Sequence, residues 1–275
     1  MTRVTFARMS RPDPAVRPGR YGAGMTTPAA ALRAAHRPGD PLLLPNVWDV
    51  AAARAVAAAG FPAVATGSAA VAAALGYDDG EDAPAGEMLA AAARIARAVD
   101  VPVTVDAERG YGLPPAELAE RLLAAGAAGL NLEDSDPATG ALVPVAEQAA
   151  YLAGLRAAAG DALVVNARVD VAIREAGDPA GRPAVIAERA AAYLAAGADC
   201  VYPIWVADHD EVAALVAGID GPVNILCRPG SPDPAGLARL GVARVSFGPF
   251  LHRRALAAFD ADLARIRAGA APYGD

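Results

Sequence analysis

The chain has 275 residues, of which 24 are arginine, none is lysine and 31 are acidic, for a formal net charge of −7. That balance excludes a basic nucleic-acid surface, and the missing lysine excludes a Schiff-base nucleophile and a Walker-type phosphate loop. No apolar run reaches the roughly 18 residues of a membrane span. Cys200 and Cys227 show neither metal-type spacing nor a disulfide framework, so a reducing, cytoplasmic setting is expected.

Residues 1–27 are dense in Arg, Pro and Gly and weak in apolar period. They are expected to be a disordered extension, although a start at Met25 or an organellar transit segment fits the same composition. Residues 28–275 are expected to form one domain. "TTPAAALRAAH" reads as a helix that plugs the bottom of a barrel.

From residue 41 a unit recurs: a short apolar run, a polar or glycine turn, then an alanine-rich helical stretch. The runs are "PLLLPN", "AVATGS", "VPVTVDAE", "GLNLED", "LVVNAR", "CVYPIW", "PVNILC" and "RVSFGP". Eight such units predict an α/β fold of the closed (β/α)8, TIM-barrel type. A doubly wound sheet would normally show fewer strands and a phosphate-type glycine loop. The last stretch, "PFLHRRALAAFDADLARIRAG", is long and amphipathic, and it is expected to reach beyond its own barrel.

Side chains alternate faces along a strand. Thr104, Asp106 and Glu108 share one parity, as do Asn131 and Glu133, and Asn166 and Arg168. Polar inward positions at strand C-termini form the mouth of such a barrel. Asp106, Glu108 and Glu133 would repel one another there unless a cation or protons intervened; the expected cation is magnesium, with manganese as the alternative. Arg168 suits a substrate carboxylate or phosphate, or an ion pair with Asp170 or Glu133. The "ATGSAA" turn offers N–H groups and the hydroxyls of Thr66 and Ser68, and "GYDDG" reads as an ordinary turn.

The ordered set "PNVWD", "ATGSAAVAAALGYDDGE", "PVTVDAERGYG", "GAAGLNLED", "VVNARVD" and "GVARVSFGP" resembles the isocitrate lyase/phosphoenolpyruvate mutase superfamily from about residue 28 onward. The resemblance implies a magnesium-dependent barrel that acts on 2-oxo acids or related carboxylates through an enolate-like intermediate. It also implies a homodimer or homotetramer that exchanges its last helix between subunits. Carried over by position, Asp106 matches the acid nearest the metal, and Glu108, Glu133 and Asp79 match acids around metal-bound water. Thr66, Gly67 and Ser68 match the turn that binds the substrate carboxylate, and Arg168 matches a substrate-side arginine.

Two departures limit the resemblance. The region after the fourth run, "EDSDPATGALVPVAEQ", lacks the cysteine of family lyases and the lysine and asparagine of family mutases. Glu108 also stands where those groups usually have an aspartate. The expected activity is therefore C–C cleavage of a small 2-oxo or 2-hydroxy carboxylate, with C–P hydrolysis or mutase chemistry as the alternative. A catalytically silent, metabolite-binding barrel is a third reading. The segment from Asp134 to Pro144 is expected to act as a lid that is open or poorly ordered without ligand.

Overall fold

The computed structural model describes residues 26–178 and 181–273. Residues 1–25, nearly all of the expected extension, lie outside the described residues. The chain runs α1 (Pro28–Ala34), β1 (Leu42–Leu44), β2 (Asn46–Val47), α2 (Val50–Ala58), β3 (Val64–Thr66), α3 (Ser68–Leu75), α4 (Ala85–Ala96), β4 (Val103–Asp106) and α5 (Pro115–Ala124). It continues with β5 (Gly129–Leu132), α6 (Val145–Ala159), β6 (Val164–Val169), α7 (Arg182–Ala195), β7 (Cys200–Pro203), α8 (His209–Gly218), β8 (Asn224–Leu226), α9 (Pro234–Arg239), β9 (Arg244–Ser246) and α10 (Phe250–Arg267).

All pairings between these strands are parallel. One ladder runs β2-β3-β4-β5-β6-β7 and the other β1-β9-β8. Two joints close them into a barrel of eight strand positions. At one joint β1 and β2 are a single strand interrupted at Pro45, which has no N–H to give the ladder. At the other, Val201 bridges Val223, and its N–H donates to the Pro222 carbonyl at 2.9 Å. All eight predicted runs are present, the first of them in two segments.

The alternation seen in the sequence separates two environments. Val103, Val105, Leu130, Leu132, Val165 and Val245 face the helices and share one buried core. The inward parity near the bottom is also apolar, with Leu42, Leu44, Ala65 and Val164 packed under Ala29 and Leu32 of α1. Thr27 caps α1 through its hydroxyl, and α1 covers the barrel bottom as expected. Full burial of Leu32 contributes about 1.5–3 kcal/mol. Gly129 permits that seat, because a Cβ there would lie 2.7 Å from the Val164 carbonyl and 3.0 Å from Leu32.

Helix α10 differs from its neighbours, since none of its residues is buried. Leu256, Phe259, Leu263 and Ile266 are 45–58% exposed and fall on one face at spacings of three and four. Among the described residues no helix is long and apolar enough to cross a membrane.

Candidate active site

The inward parity turns polar toward the strand C-termini. Register places Asp106 beside Asn131, Asn131 beside Asn166, and Arg168 beside Tyr202. Two cavities open over this end. One, of about 220 Å³, is walled by Asp106, Asn131, Arg168, Tyr202, Trp205 and Arg253 among others. The second, of about 330 Å³, is walled by Asp79, Glu108, Glu133, Pro137 and Arg174. Ser68, Asp79, Arg168 and Ile173 border both. Every residue singled out for the site lies at this end of the barrel.

Asp106 is held by the segment after β3. Its own N–H donates to Thr66 Oγ1 at 2.9 Å, and its Oδ2 accepts from the Ser68 N–H at 3.0 Å. The expected "ATGSAA" turn is in fact the start of α3, which begins at Ser68. Thr66 Oγ1 and the Ser68 amide are therefore engaged by Asp106 and are not both open to a ligand. Ala69 also lines the first cavity, and first-turn amides have no acceptor within their own helix.

Glu108 follows the strand end in a left-handed conformation, with φ 48°. This turns its carboxylate toward the loop after α3, where Oε2 accepts from Gly80 N–H at 3.1 Å and Glu81 N–H at 2.6 Å. Glu81 reciprocates, its Oε1 taking the N–H groups of Arg109 (2.9 Å) and Tyr111 (2.6 Å). The glycine-tyrosine-glycine turn is thus pinned. Gly110, with φ 98°, is required there, because a Cβ would meet the Tyr151 hydroxyl at 2.6 Å. Burial, and then the charge of Asp106, pushes Glu108 up to about 7. Burial and Asp106 also raise Asp79.

Arg168 is clamped by two acids, Glu133 Oε2 at 2.5 Å and Asp170 Oδ1 at 2.6 Å. Behind it, Asp170 accepts from the Ser135 hydroxyl at 2.6 Å, and its N–H donates to Asp134 Oδ1 at 2.8 Å. Asp134 Oδ2 is held by Arg189 and Tyr193 at 2.9 and 2.7 Å. Both ion pairs that the sequence allowed for Arg168 form together. Burial pushes Glu133 upward in spite of Arg168, with Asp170 and Asp106 adding to the shift.

The acids therefore share a region without sharing a point. Among the described residues no three His, Cys, Asp or Glu side chains converge as a ready ligand cluster. Glu108 is held by amides and Glu133 by Arg168, while Asp106 Oδ1 has no protein donor among the described residues. Such a set fits a hard cation that keeps most of its water and takes one or two carboxylates. The raised acids fit it too, because a nearby cation relieves the repulsion that raises them.

The segment after β5 is not loose. Ser135 bridges Leu142, Asp136 N–H donates to the Ala141 carbonyl, and Asp136 Oδ1 caps the amides of Ala138 and Thr139. The segment expected to be open or poorly ordered forms a hairpin with a buried base at Asp134 and Ser135. Within it, Pro137 overhangs the second cavity. Neither cysteine lines the two cavities, and burial pushes the Cys200 thiol up to about 12. His209 starts α8 on the surface, and His252 of α10 packs against Trp48 with the rings tilted by 52°.

Sequence reasoning overlooked several residues. Asn46 Oδ1 accepts from the N–H groups of Phe247 and Gly248, both at 2.8 Å, tying the first barrel strand to the last. Arg253 on α10 reaches the first cavity wall, as does Trp205, whose φ is 73°. Neither had a local signal, because each is delivered by chain folding back from a distant unit. Glu81 could have been suspected only from its place in a turn rich in acids.

The phosphoenolpyruvate phosphomutase family model matches residues 32–267. An uncharacterized protein of Mycobacterium tuberculosis is 39% identical over 214 residues, 78% of this chain and 80% of that one. A crystal structure of a proposed phosphonomutase from Burkholderia cenocepacia superposes with a TM-score of 0.82 at 44% identity, covering 86% of this chain and 98% of the other. The 2-methylisocitrate lyase of Bacillus subtilis is 32% identical over 193 residues, 67% of this chain and 62% of the lyase. With the barrel, its acidic mouth and these likenesses together, the chain belongs to the phosphoenolpyruvate phosphomutase family, as an enzyme of the isocitrate lyase/phosphoenolpyruvate mutase superfamily.

Proposed function

We propose that the chain is a magnesium-dependent lyase that cleaves a C–C bond in a small 2-oxo or 2-hydroxy carboxylate. The observation that carries this reading is the division of the barrel mouth. A cavity walled by Asp79, Glu108 and Glu133 adjoins one walled by Asp106, Arg253, Trp205 and Ile204, and Arg168 stands on their border. Volumes of about 220 and 330 Å³ suit a small metabolite. Arginines on two sides of the first cavity suit a substrate with two anionic groups.

Asp106 would hold the metal directly, with Glu108, Glu133 and Asp79 fixing its water. Manganese can serve at the same donors. Bound there, the ion supplies Lewis acidity to a substrate oxygen. The remaining work falls to the chain. Arg168, immobilised by Glu133 and Asp170, binds a carboxylate and adds positive field where an enolate develops. Thr66, Gly67 and Ser68 position the other face, and Thr66 and Ser68 do so through Asp106. Pro137 is the hairpin residue on the cavity wall and has no titratable group, so the hairpin tip offers no proton donor there.

A second reading, C–P hydrolysis or mutase chemistry, draws on the 44% identity with the proposed phosphonomutase. The raised acids weigh against a silent metabolite-binding barrel, because crowding them costs stability that a retired site has no reason to keep. The exposed stripe on α10 supports a homodimer or homotetramer in which a second copy covers it. Free Cys200 and Cys227 support a cytoplasmic setting. A panel of 2-oxo acids, 2-hydroxy dicarboxylates and phosphonates, each with magnesium and with a chelator, tests the reading. Metal-dependent release of a shortened oxo acid is expected. Phosphate release instead would establish C–P hydrolysis, conversion of a phosphonate to its phosphate ester the mutase, and binding without any turnover the silent barrel.

A further inference from the structure

The barrel axis contains a charge that no carboxylate contacts among the described residues. Arg244 opens β9 and is wholly buried, and its Nε and Nη1 find no partner among the described residues. No carboxylate pairs with it among those residues. Burial pushes its pKa down, yet a guanidinium stays protonated in proteins. A buried unpaired charge is costly enough to call for a function.

Its protein hydrogen bond shows what that function is. Arg244 Nη2 donates to Asn131 Oδ1 at 3.0 Å, and Asn166 Nδ2 donates to the same oxygen at 2.8 Å. Arginine has no acceptor, so the Asn131 atom that faces it must be the oxygen. Turning the amide over would set an NH2 against a guanidinium and a second NH2. Both lone pairs of Oδ1 are taken, which leaves Nδ2 as the other end of the side chain. No protein acceptor receives Nδ2–H among the described residues. Asn131 lines the first cavity and stands directly beside Asp106 in the ladder.

We propose that Asn131 is a hydrogen-bond donor to the bound substrate, and that buried Arg244 is the positioning residue that locks its amide nitrogen toward the cavity. The chemistry it recognises is an anionic or carbonyl oxygen of a small oxo acid next to Asp106. This ligand class rests on the reading of the site as an oxo-acid lyase. The lock does not, since it follows from Arg244, Asn166 and Asn131 alone.

Asn131→Asp separates this role from a structural one. It is nearly isosteric and still offers an oxygen to Arg244 and Asn166, but it presents an acceptor to the cavity. Calorimetry with magnesium and then oxalate is expected to show magnesium affinity equal to the parent's or higher, with oxalate weakened at least 30-fold. The uncharged Asn131→Ala should lose about 10-fold for oxalate. Arg244→Met should lose a similar factor in the parent background and nothing further in Asn131→Ala. Parent-like oxalate affinity in Asn131→Asp and Asn131→Ala, or full additivity with Arg244→Met, would overturn the donor role. The lock is read without ligand from the 15N–1H2 signals of the Asn131 side chain. One pair is expected in the parent, shifted or doubled in Arg244→Met, and an unchanged pair overturns the lock. Failure of the parent to bind oxalate with magnesium present overturns the oxo-acid reading and the ligand class named here, while the NMR result still decides the lock.

Discussion

The two ends of this barrel handle charge in opposite ways. At the bottom, Asp199 accepts from Arg33 Nε at 2.7 Å, Arg156 Nη2 at 2.5 Å and the Val165 N–H at 2.8 Å. The arginines that reach it are tied further to the carbonyls of Leu163 and Gly197. At the top, Asp79, Glu108 and Glu133 crowd around Asp106, and burial holds all three above the usual carboxylate range. The chain can satisfy buried charge when stability requires it. At the mouth the acids have partners, Glu108 two amides and Glu133 Arg168, yet they remain raised, which marks the end where a ligand completes the structure.

The largest effect that would break this contrast comes from one carboxylate at each end. Asp199→Ala leaves Arg33 and Arg156 without their acid. It should cost about 2–4 kcal/mol, discounted from a fully buried pair because the partners are partly exposed. Magnesium affinity should be unchanged. Asp106→Ala should do the reverse, weakening magnesium more than about 100-fold, beyond the usual cost of losing an indirect partner of a metal, with little loss of stability. Calorimetry and denaturant unfolding measure both. Equal magnesium affinity in Asp106→Ala and the parent would remove Asp106 as the ligand.

A smaller effect separates the ends by pH. In the metal-free protein Glu108 titrates at about 7 instead of 4.5. Between those values the native state holds a proton that the unfolded chain has released, so stability falls as pH rises through that window. His36, buried under the barrel, is pushed down to about 4, first by burial and then by Arg244. There the unfolded chain holds the extra proton, so stability rises from about pH 4 to 6.5. Glu108→Gln should make the falling limb shallower, leaving the share of Glu133 and Asp79, and His36→Gln should remove the rising one. Magnesium should also abolish the falling limb, because it binds ionised carboxylates. Thermal melts across pH 4–8, with chelator and with magnesium, resolve the two. A falling limb as deep in Glu108→Gln as in the parent would assign it to Glu133 and Asp79 alone.

The sequence shows much of this contrast and misses its cause. The apolar runs bounded by turns locate all eight strands, and period-two parity is enough to put Asp106, Asn131, Asn166 and Arg168 on one face. Parity fails at Glu108, because β4 ends at Asp106 and the chain then turns left-handed. The clamp between Glu81 and Glu108 depends on that turn and on a residue 27 positions away. Arg244 reads locally as the polar first residue of a strand. That no carboxylate contacts it among the described residues is a property of the closed barrel, which no window of the sequence contains.

Thiols test whether chemistry stays at the top. Burial holds Cys200 at about 12, so it is not a thiolate at neutral pH, and neither it nor Cys227 lines the mouth cavities. Cys200→Ser and Cys227→Ser should retain turnover within about twofold at a temperature where both stay folded. The hydroxyl that Cys200→Ser buries should cost about 1–3 kcal/mol of stability. Loss of all turnover in either folded variant would restore a thiol mechanism.

The smallest effect concerns the hairpin beside Glu133. Its base is part of the charge network, since Asp134 takes Arg189 and Tyr193 and Ser135 takes Arg174. Its tip, residues 136–141, is exposed but internally bonded, with Gly140 N–H donating to the Asp136 carbonyl at 2.8 Å. If this hairpin closes over a ligand, its internal bonds predict that it swings as a unit and does not order as a loose strap. Closure would keep water from a developing enolate. Hydrogen exchange should therefore show the amides of 138–141 already slowed in the free protein. Magnesium with oxalate should add less than about tenfold protection there, and more at Glu133 and Ser135, where the hinge meets the barrel. Fast exchange throughout 136–141 without ligand, collapsing on binding, would show instead a segment that orders only around substrate. The network through Ser135 and Asp170 would then have to assemble with the ligand, and the contrast between a satisfied bottom and a mouth of raised acids would extend into the walls of the site.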